Sequence, residues 1–149
     1  MQEYLEDRYP QPSLRPSEPL RLAQMRVAGR VVEQHVDTSL FVVVMLIAGK
    51  SSDQAALASA FNALQHALQL LTQVWQPGPY AFGSQPTLLD CQLLPVMTYL
   101  QLVGAASGRD LFAELPALAA YQDVLAEHPQ LSAIAAELAR AVLARLSAA

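Results

Sequence analysis

The sequence predicts an all-α domain of about five helices, and three features carry that prediction. Apolar residues recur at three- and four-residue spacing over long runs. The ends of those runs hold Ser, Thr, Pro and Gly in positions that start or stop helices. Thr87 precedes Asp90 by three positions, the spacing of a capping box.

Residues 1–19 read as a short helical remnant, EYLEDRY, followed by an extended linker with Pro10, Pro12, Pro16 and Pro19. Prolines at that density keep the residues before them out of the α region. Residues 20–149 form the main domain. Its first helix begins near Ser17 or Glu18, with Pro19 suited to the first turn. Leu22, Met25, Val32, Val36, Leu40, Val43 and Ile47 form one stripe that includes Gly29. Val42 to Val44 would also suit a strand, but the helical period continues from Leu22 and no turn residue intervenes before Gly49. From Phe41 to Ile47 every side is apolar, which predicts neighbours on several faces.

Gly49 to Ser52 ends this helix, and Ser51 or Ser52 caps a second one that runs to about Trp75 with Leu57, Phe61, Leu64, Leu68 and Leu71 on its stripe. A third helix follows Thr87 and ends before Gly104. Pro116 fits the first turn of a fourth, and Pro129 opens the last, with Leu131, Ile134, Leu138 and Val142 on one side.

Composition narrows the function classes. A chain of 149 residues buries roughly 68–70% of its unfolded surface, and 53% hydrophobic with 15% charged residues indicates a packed globule. The net charge of −4, with Lys50 the only lysine, offers no basic cluster for a nucleic acid duplex. One cysteine, Cys91, leaves no internal disulfide and suits a reducing compartment. The start lacks the basic and apolar regions of a signal peptide, and the apolar run from Leu40 to Ala48 is too short to span a bilayer. A cytoplasmic location without membrane partners is the expectation.

At the capping box the Thr87 hydroxyl can accept from the Asp90 backbone N–H while the Asp90 carboxylate reaches back to the Thr87 N–H. Losing such a cap and its reciprocal bond destabilises by about 1–2 kcal/mol. Preceded by Tyr80, Phe82 and Gly83 and followed by Leu93, Leu94 and a mid-helix Pro95, the box resembles the segment that nucleates the central helix of the glutathione S-transferase C-terminal helical domain. The linker resembles that family's interdomain linker through Leu14, Pro16, Arg21 and Arg26, and LPALAAYQDVLAEHPQL resembles its segment before the last helix. Leu89 departs from the usual Ala before the box Asp, and Pro86 stands where a hydrophobic staple would begin.

The resemblance implies a folding role for Thr87 and Asp90, not catalysis. It implies that glutathione, as co-substrate, is bound by a thioredoxin-like N-terminal domain that also carries the thiol-activating residue. Met1 would fall inside a continuous helix of that family, so the chain is expected to be part of a longer transferase and inactive alone. In the intact protein, which would conjugate, isomerise or reduce with glutathione, this chain would supply the wall for a hydrophobic electrophile and much of a homodimer interface. By helix position, Arg30, Glu33, Asp37 and Leu40 would line the electrophile pocket, and Arg21 and Arg26 would form interdomain or intersubunit ion pairs. The apolar surface near Leu22 to Val36 and Phe41 to Ile47 would pair two copies through the first two helices.

Two alternatives stay open. TLLDCQLLP is also close to a helix of non-enzymatic regulators resembling stringent starvation protein A, although Pro10-Gln11-Pro12 lacks the His of their Pro-His-Pro. A structural interaction module is the other. No metal is expected, because His66 and His128 have no ligand partner at i+4. His35 and Asp37 read as structural or exposed, Cys91 as a buried small hydrophobe, and Trp75 and Tyr80 as closing the core or a loop.

Overall fold

A computed structural model describes residues 2–75 and 78–147 of the chain, and among them are six helices and no strand. The helices are α1 (Gln2–Arg8), α2 (Pro19–Ala48), α3 (Gln54–Val74), α4 (Leu88–Ser107), α5 (Pro116–Glu127) and α6 (Pro129–Ser147). α2 packs between α3 and α4, α4 packs on α6, and α6 on α5.

α2 starts where Pro19 predicts, with the Glu18 carboxylate accepting from the N–H groups of Leu20 (2.8 Å) and Arg21 (2.7 Å). It stays helical through Val42 to Val44, and Met25, Val32, Val36, Leu40 and Val43 on its predicted stripe are buried. Val32–Val36 forms a π-helical turn, in which the Asp37 N–H donates to the Val32 carbonyl. The wider turn keeps Val32, Val36 and Leu40 on one face despite successive four-residue steps. Phe41, Val42 and Met45 correct the expectation of neighbours on several faces. They are 64%, 45% and 55% exposed, because α3 and α4 cover only the side that carries Leu40 and Val43.

Two boundaries and one helix face also differ from expectation. Asp53, not Ser51 or Ser52, caps α3: its carboxylate accepts from the Ala56 N–H at 2.9 Å, and Ser51 Oγ accepts from the Asp53 N–H. α4 runs past Gly104 to Gly108, whose φ of 66° is the left-handed conformation glycine adopts without strain. Gly104 is needed for close approach instead, since a Cβ there would lie 3.0 Å from the Arg109 carbonyl. On α6, Ile134 is 52% exposed, and Leu131 with Ala135 and Leu138 faces inward in its place.

α4 is the central helix, with Leu89, Leu93, Val96, Leu100 and Val103 among its buried residues. Its capping box is present. Asp90 is fully buried, and its carboxylate accepts four hydrogen bonds. Oδ2 takes the Thr87 N–H and the Thr87 hydroxyl, both at 2.7 Å, while Oδ1 takes the Ala81 N–H at 2.9 Å and the Tyr121 hydroxyl at 2.8 Å. Trp75 closes the same knot. Its Nε1 donates to the Ala81 carbonyl at 2.9 Å, and its ring meets Tyr121 edge-on at 4.8 Å.

By length and composition alone, α2 and α4 are apolar enough to cross a membrane. For α4 that apolarity is spent inside the protein, where ten of its residues are buried.

Asp90→Ala strands four buried donors, so the loss of stability exceeds that of a cap alone, at more than about 3 kcal/mol. Thermal or urea unfolding checks this, and a loss of only 1–2 kcal/mol would mean that the bonds from Ala81 and Tyr121 contribute nothing. Burial, and then Asp90, pushes the Tyr121 phenol well above its ordinary value. Its contribution is therefore complete below about pH 10 and lost as pH rises through the folded value. In an alkaline absorbance titration of the five tyrosines, Tyr121 should stay silent until the protein unfolds.

Candidate functional site

A concavity of about 570 Å³ lies between α1, α2 and the start of α4. Met25, Leu88 and Leu89 provide its apolar surface, and Arg26, Arg30, Glu33 and Gln92 its polar rim, with Gln2 and Glu3 of α1 forming one side. The first turn of α4 is divided between two environments: Leu88, Leu89 and Gln92 face the concavity, while Asp90 is sealed in the knot. Gln92 Nε2 donates to the Gly29 carbonyl at 3.1 Å, and a Cβ on Gly29 would lie 3.0 Å from Gln92 Oε1, so the small residue lets α4 reach the α2 backbone.

The four residues expected along an electrophile pocket separate. Arg30 and Glu33 line the concavity and pair at 2.7 Å, both largely exposed. Asp37 lies one turn on, outside that lining, and its carboxyl is pushed up by partial burial and by Glu33. Leu40 is a core residue, 5% exposed. Arg26 finds its partner within the chain, bonding Glu3 of α1 through Nε (3.0 Å) and Nη2 (3.2 Å). Arg21 is exposed on α2.

No lining residue carries a hydroxyl or thiol, and the carboxylates on the rim, Glu3 and Glu33, are each held in ion pairs with arginines. Cys91 is adjacent in sequence but exposed, which corrects the expectation of burial: it sits on the outer side of the first turn of α4, between inward-facing Asp90 and rim-facing Gln92. Its neighbours still desolvate the thiol, and together with Asp90 they push it up rather than down. Among the described residues, no group of three His, Cys, Asp or Glu is placed to hold a metal. Trp75 closes the core, and half-buried Tyr80 stands edge-on to His128 at 5.9 Å.

Residues 54–123 match the family model of the glutathione S-transferase C-terminal domain. A solved structure, maleylacetoacetate isomerase from Anaeromyxobacter dehalogenans, shares the fold at a TM-score of 0.70 and 23% identity, over 88% of this chain and 61% of that one. The chain carries a glutathione S-transferase C-terminal-like domain. A stringent starvation protein A homolog from Pasteurella multocida is 28% identical over 102 residues, covering 68% of this chain and 45% of the relative. The chain thus spans less than half the length of that curated relative. Within this glutathione S-transferase-like domain, α2 and α3 are the first two helices after the linker, and the Asp90 box opens the central one.

Tyr121 and Gln92 are among the site-shaping residues that the sequence reading did not single out. Tyr121 had a signal, its place in the segment resembling the one before the family's last helix, but its bond to Asp90 spans 31 residues. Gln92 had none.

With its thiol pushed up, Cys91 should alkylate slowly at neutral pH despite its exposure. The rate of reaction with iodoacetamide as pH is raised should reach its midpoint above that of a cysteine peptide measured alongside. A midpoint below the peptide's would instead mark an activated thiol.

Proposed function

We propose that this domain supplies the apolar wall of a hydrophobic-electrophile site and a homodimer face in a glutathione-dependent transferase. The observation that carries this reading is the arrangement of α2. One side lines a concavity with an apolar floor and a charged rim, and another exposes Phe41, Val42 and Met45 beyond the packed core. Glutathione, as co-substrate, and thiol activation come from a thioredoxin-like domain in the same or another chain. The electrophile lies on Met25, Leu88 and Leu89, with Arg30 and Glu33 at its polar end. The second copy covers the exposed apolar residues of α2, since clustered apolar side chains of this size gain most from leaving water together. Asp37 and Leu40 contribute by supporting this helix, from its surface and from the core.

A second reading is favoured by the curated relative: a non-enzymatic regulator resembling stringent starvation protein A, in which the same concavity and helix face receive a protein instead of an electrophile. Titration of the chain with 1-chloro-2,4-dinitrobenzene separates the two. Saturable binding that perturbs Leu88 and Leu89 supports the transferase reading, and no binding favours the regulator.

Two outcomes are expected for the 149-residue chain. Sedimentation over a wide concentration range should show a dimer, converted to monomer by Phe41→Glu, and a strict monomer at high concentration would remove the dimer face. Glutathione with 1-chloro-2,4-dinitrobenzene should turn over no faster than without protein. Catalysis abolished by changing one residue of this chain would overturn the division of labour.

A further inference from the structure

A second concavity, of about 420 Å³, lies where the loop after α4 meets α3. Every residue that lines it falls between Phe61 and Glu114, and none lines the concavity at Leu88. The two stand at opposite ends of α4, whose 20 residues span about 30 Å.

Short-range bonds fix the loop. The Arg109 N–H donates to the Gly104 carbonyl at 3.1 Å, Asp110 Oδ1 accepts from the Phe112 N–H at 2.9 Å, and the Leu115 N–H donates to the Phe112 carbonyl at 2.8 Å. Arg109 is thereby presented to α3, where its guanidinium carbon lies over the buried ring of Phe61, 4.3 Å from the centroid. A contact of this kind favours the cation and holds a long side chain in place. Among the described residues, however, the guanidinium has no hydrogen bond or ion pair. Asp110 and Glu114 line the same concavity, and neither pairs with it. Asn62 and Gln65, three positions apart on α3, add two carboxamides, each with donors and an acceptor. Opposite charges thus stand apart around one space, and a ligand that bears both charges would join them.

We propose that this concavity binds a free α-amino acid. Its carboxylate takes the N–H fork of Arg109, its ammonium goes to Glu114, and Asn62 and Gln65 bond its polar side chain. A guanidinium matches a planar carboxylate with two parallel bonds, which a lysine ammonium does not reproduce. Glu114 is the ammonium partner because one oxygen of Asp110 is engaged by the Phe112 N–H. A bare anion fits less well, since two of the three charged lining residues are acidic and the negative end of the α4 dipole lies beside them. A bare amine would leave Arg109 without a partner. The site stands independently of what occupies the concavity at Leu88.

Titration of the isotope-labelled full chain with L-glutamine, followed by the side-chain amide signals of Asn62 and Gln65, is the test. Both signals should shift saturably, with a dissociation constant below about 10 mM. Acetate alone and methylamine alone should each need at least a tenfold higher concentration for the same shift. Arg109→Lys, which keeps the charge and loses the fork, should weaken glutamine binding at least tenfold. Glu114→Gln, at an exposed position, should weaken it as much by removing the ammonium partner. Arg30→Gln, on the other concavity, should change nothing. If Arg109→Lys disturbs the backbone signals of buried α4 residues, Glu114→Gln alone decides. No saturation by about 10 mM overturns the proposal. So does an equal response to acetate, which would mark a simple anion site, or loss of binding in Arg30→Gln, which would place the ligand elsewhere. Undiminished binding in Glu114→Gln overturns it as well.

Discussion

One buried carboxylate decides where distant parts of this chain meet. Asp90 has no contact with solvent, and its four donors come from the residue that caps its own helix, from the loop before it and from α5. A charge taken out of water is strongly disfavoured unless its acceptor sites are filled. The arrangement therefore stands or falls as a set: the loop must present the Ala81 N–H, α5 must present Tyr121, and Trp75 must tie the end of α3 to that loop. The helix dipole favours the negative charge at this position in the first turn. Helices that would otherwise pack with some freedom of rotation and register are thereby fixed to one another.

Much of this was legible in the sequence because it is local. The stripe from Met25 to Val43 and the stripe of α3 are buried as their spacing requires, and the Thr87–Asp90 pair can be read from three-residue spacing alone. The partners that depend on tertiary packing were not legible. Nothing near Asp90 in sequence points to Tyr121, and nothing near Gly29 points to Gln92. Periodicity also cannot say which apolar face finds a neighbour. Phe41 and Ile134 sit on apolar runs as convincing as those of Val43 and Leu131, yet they are exposed because, among the described residues, no element lies over them. The cap of α3 shows a related limit. Ser51, Ser52 and Asp53 are all competent caps, and the choice falls to the residue whose carboxylate meets the N–H of Ala56.

At the site, the charge pattern was more legible than the geometry. Arg30 and Glu33 are three apart on one helix and pair as that spacing allows. Asp37 and Leu40 continue the helix but rotate away from the concavity, Asp37 toward its own surface and Leu40 into the core, and the π-helical turn between Glu33 and Asp37 lies where that divergence begins. Arg26 pairs across the same boundary that the sequence reading draws. Sequence reading expects an interdomain or intersubunit ion pair there, and the partner is Glu3 of α1, in the stretch set apart from the main domain.

The stability centre and the concavity share the first turn of α4, and this links folding to the shape of the concavity. Leu88, Leu89 and Gln92 are placed by the same cap that buries Asp90, so the floor of the concavity is only as fixed as the knot behind it. The knot, however, contributes no chemistry: its hydroxyls and carboxylate are consumed in one another's hydrogen bonds, and Cys91 beside it is held away from thiolate. A fold built on this knot can hold an electrophile, a protein or nothing, because the knot specifies only where α4 begins. Under the proposed function, selectivity would lie in the groups that line the concavity but take no part in the knot, namely Arg26, Arg30, Glu33 and Gln92 around the apolar floor. Their ion pairs are exposed, and exposed pairs contribute little to stability, so they can be exchanged for other partners at small cost, unlike the bonds of the core.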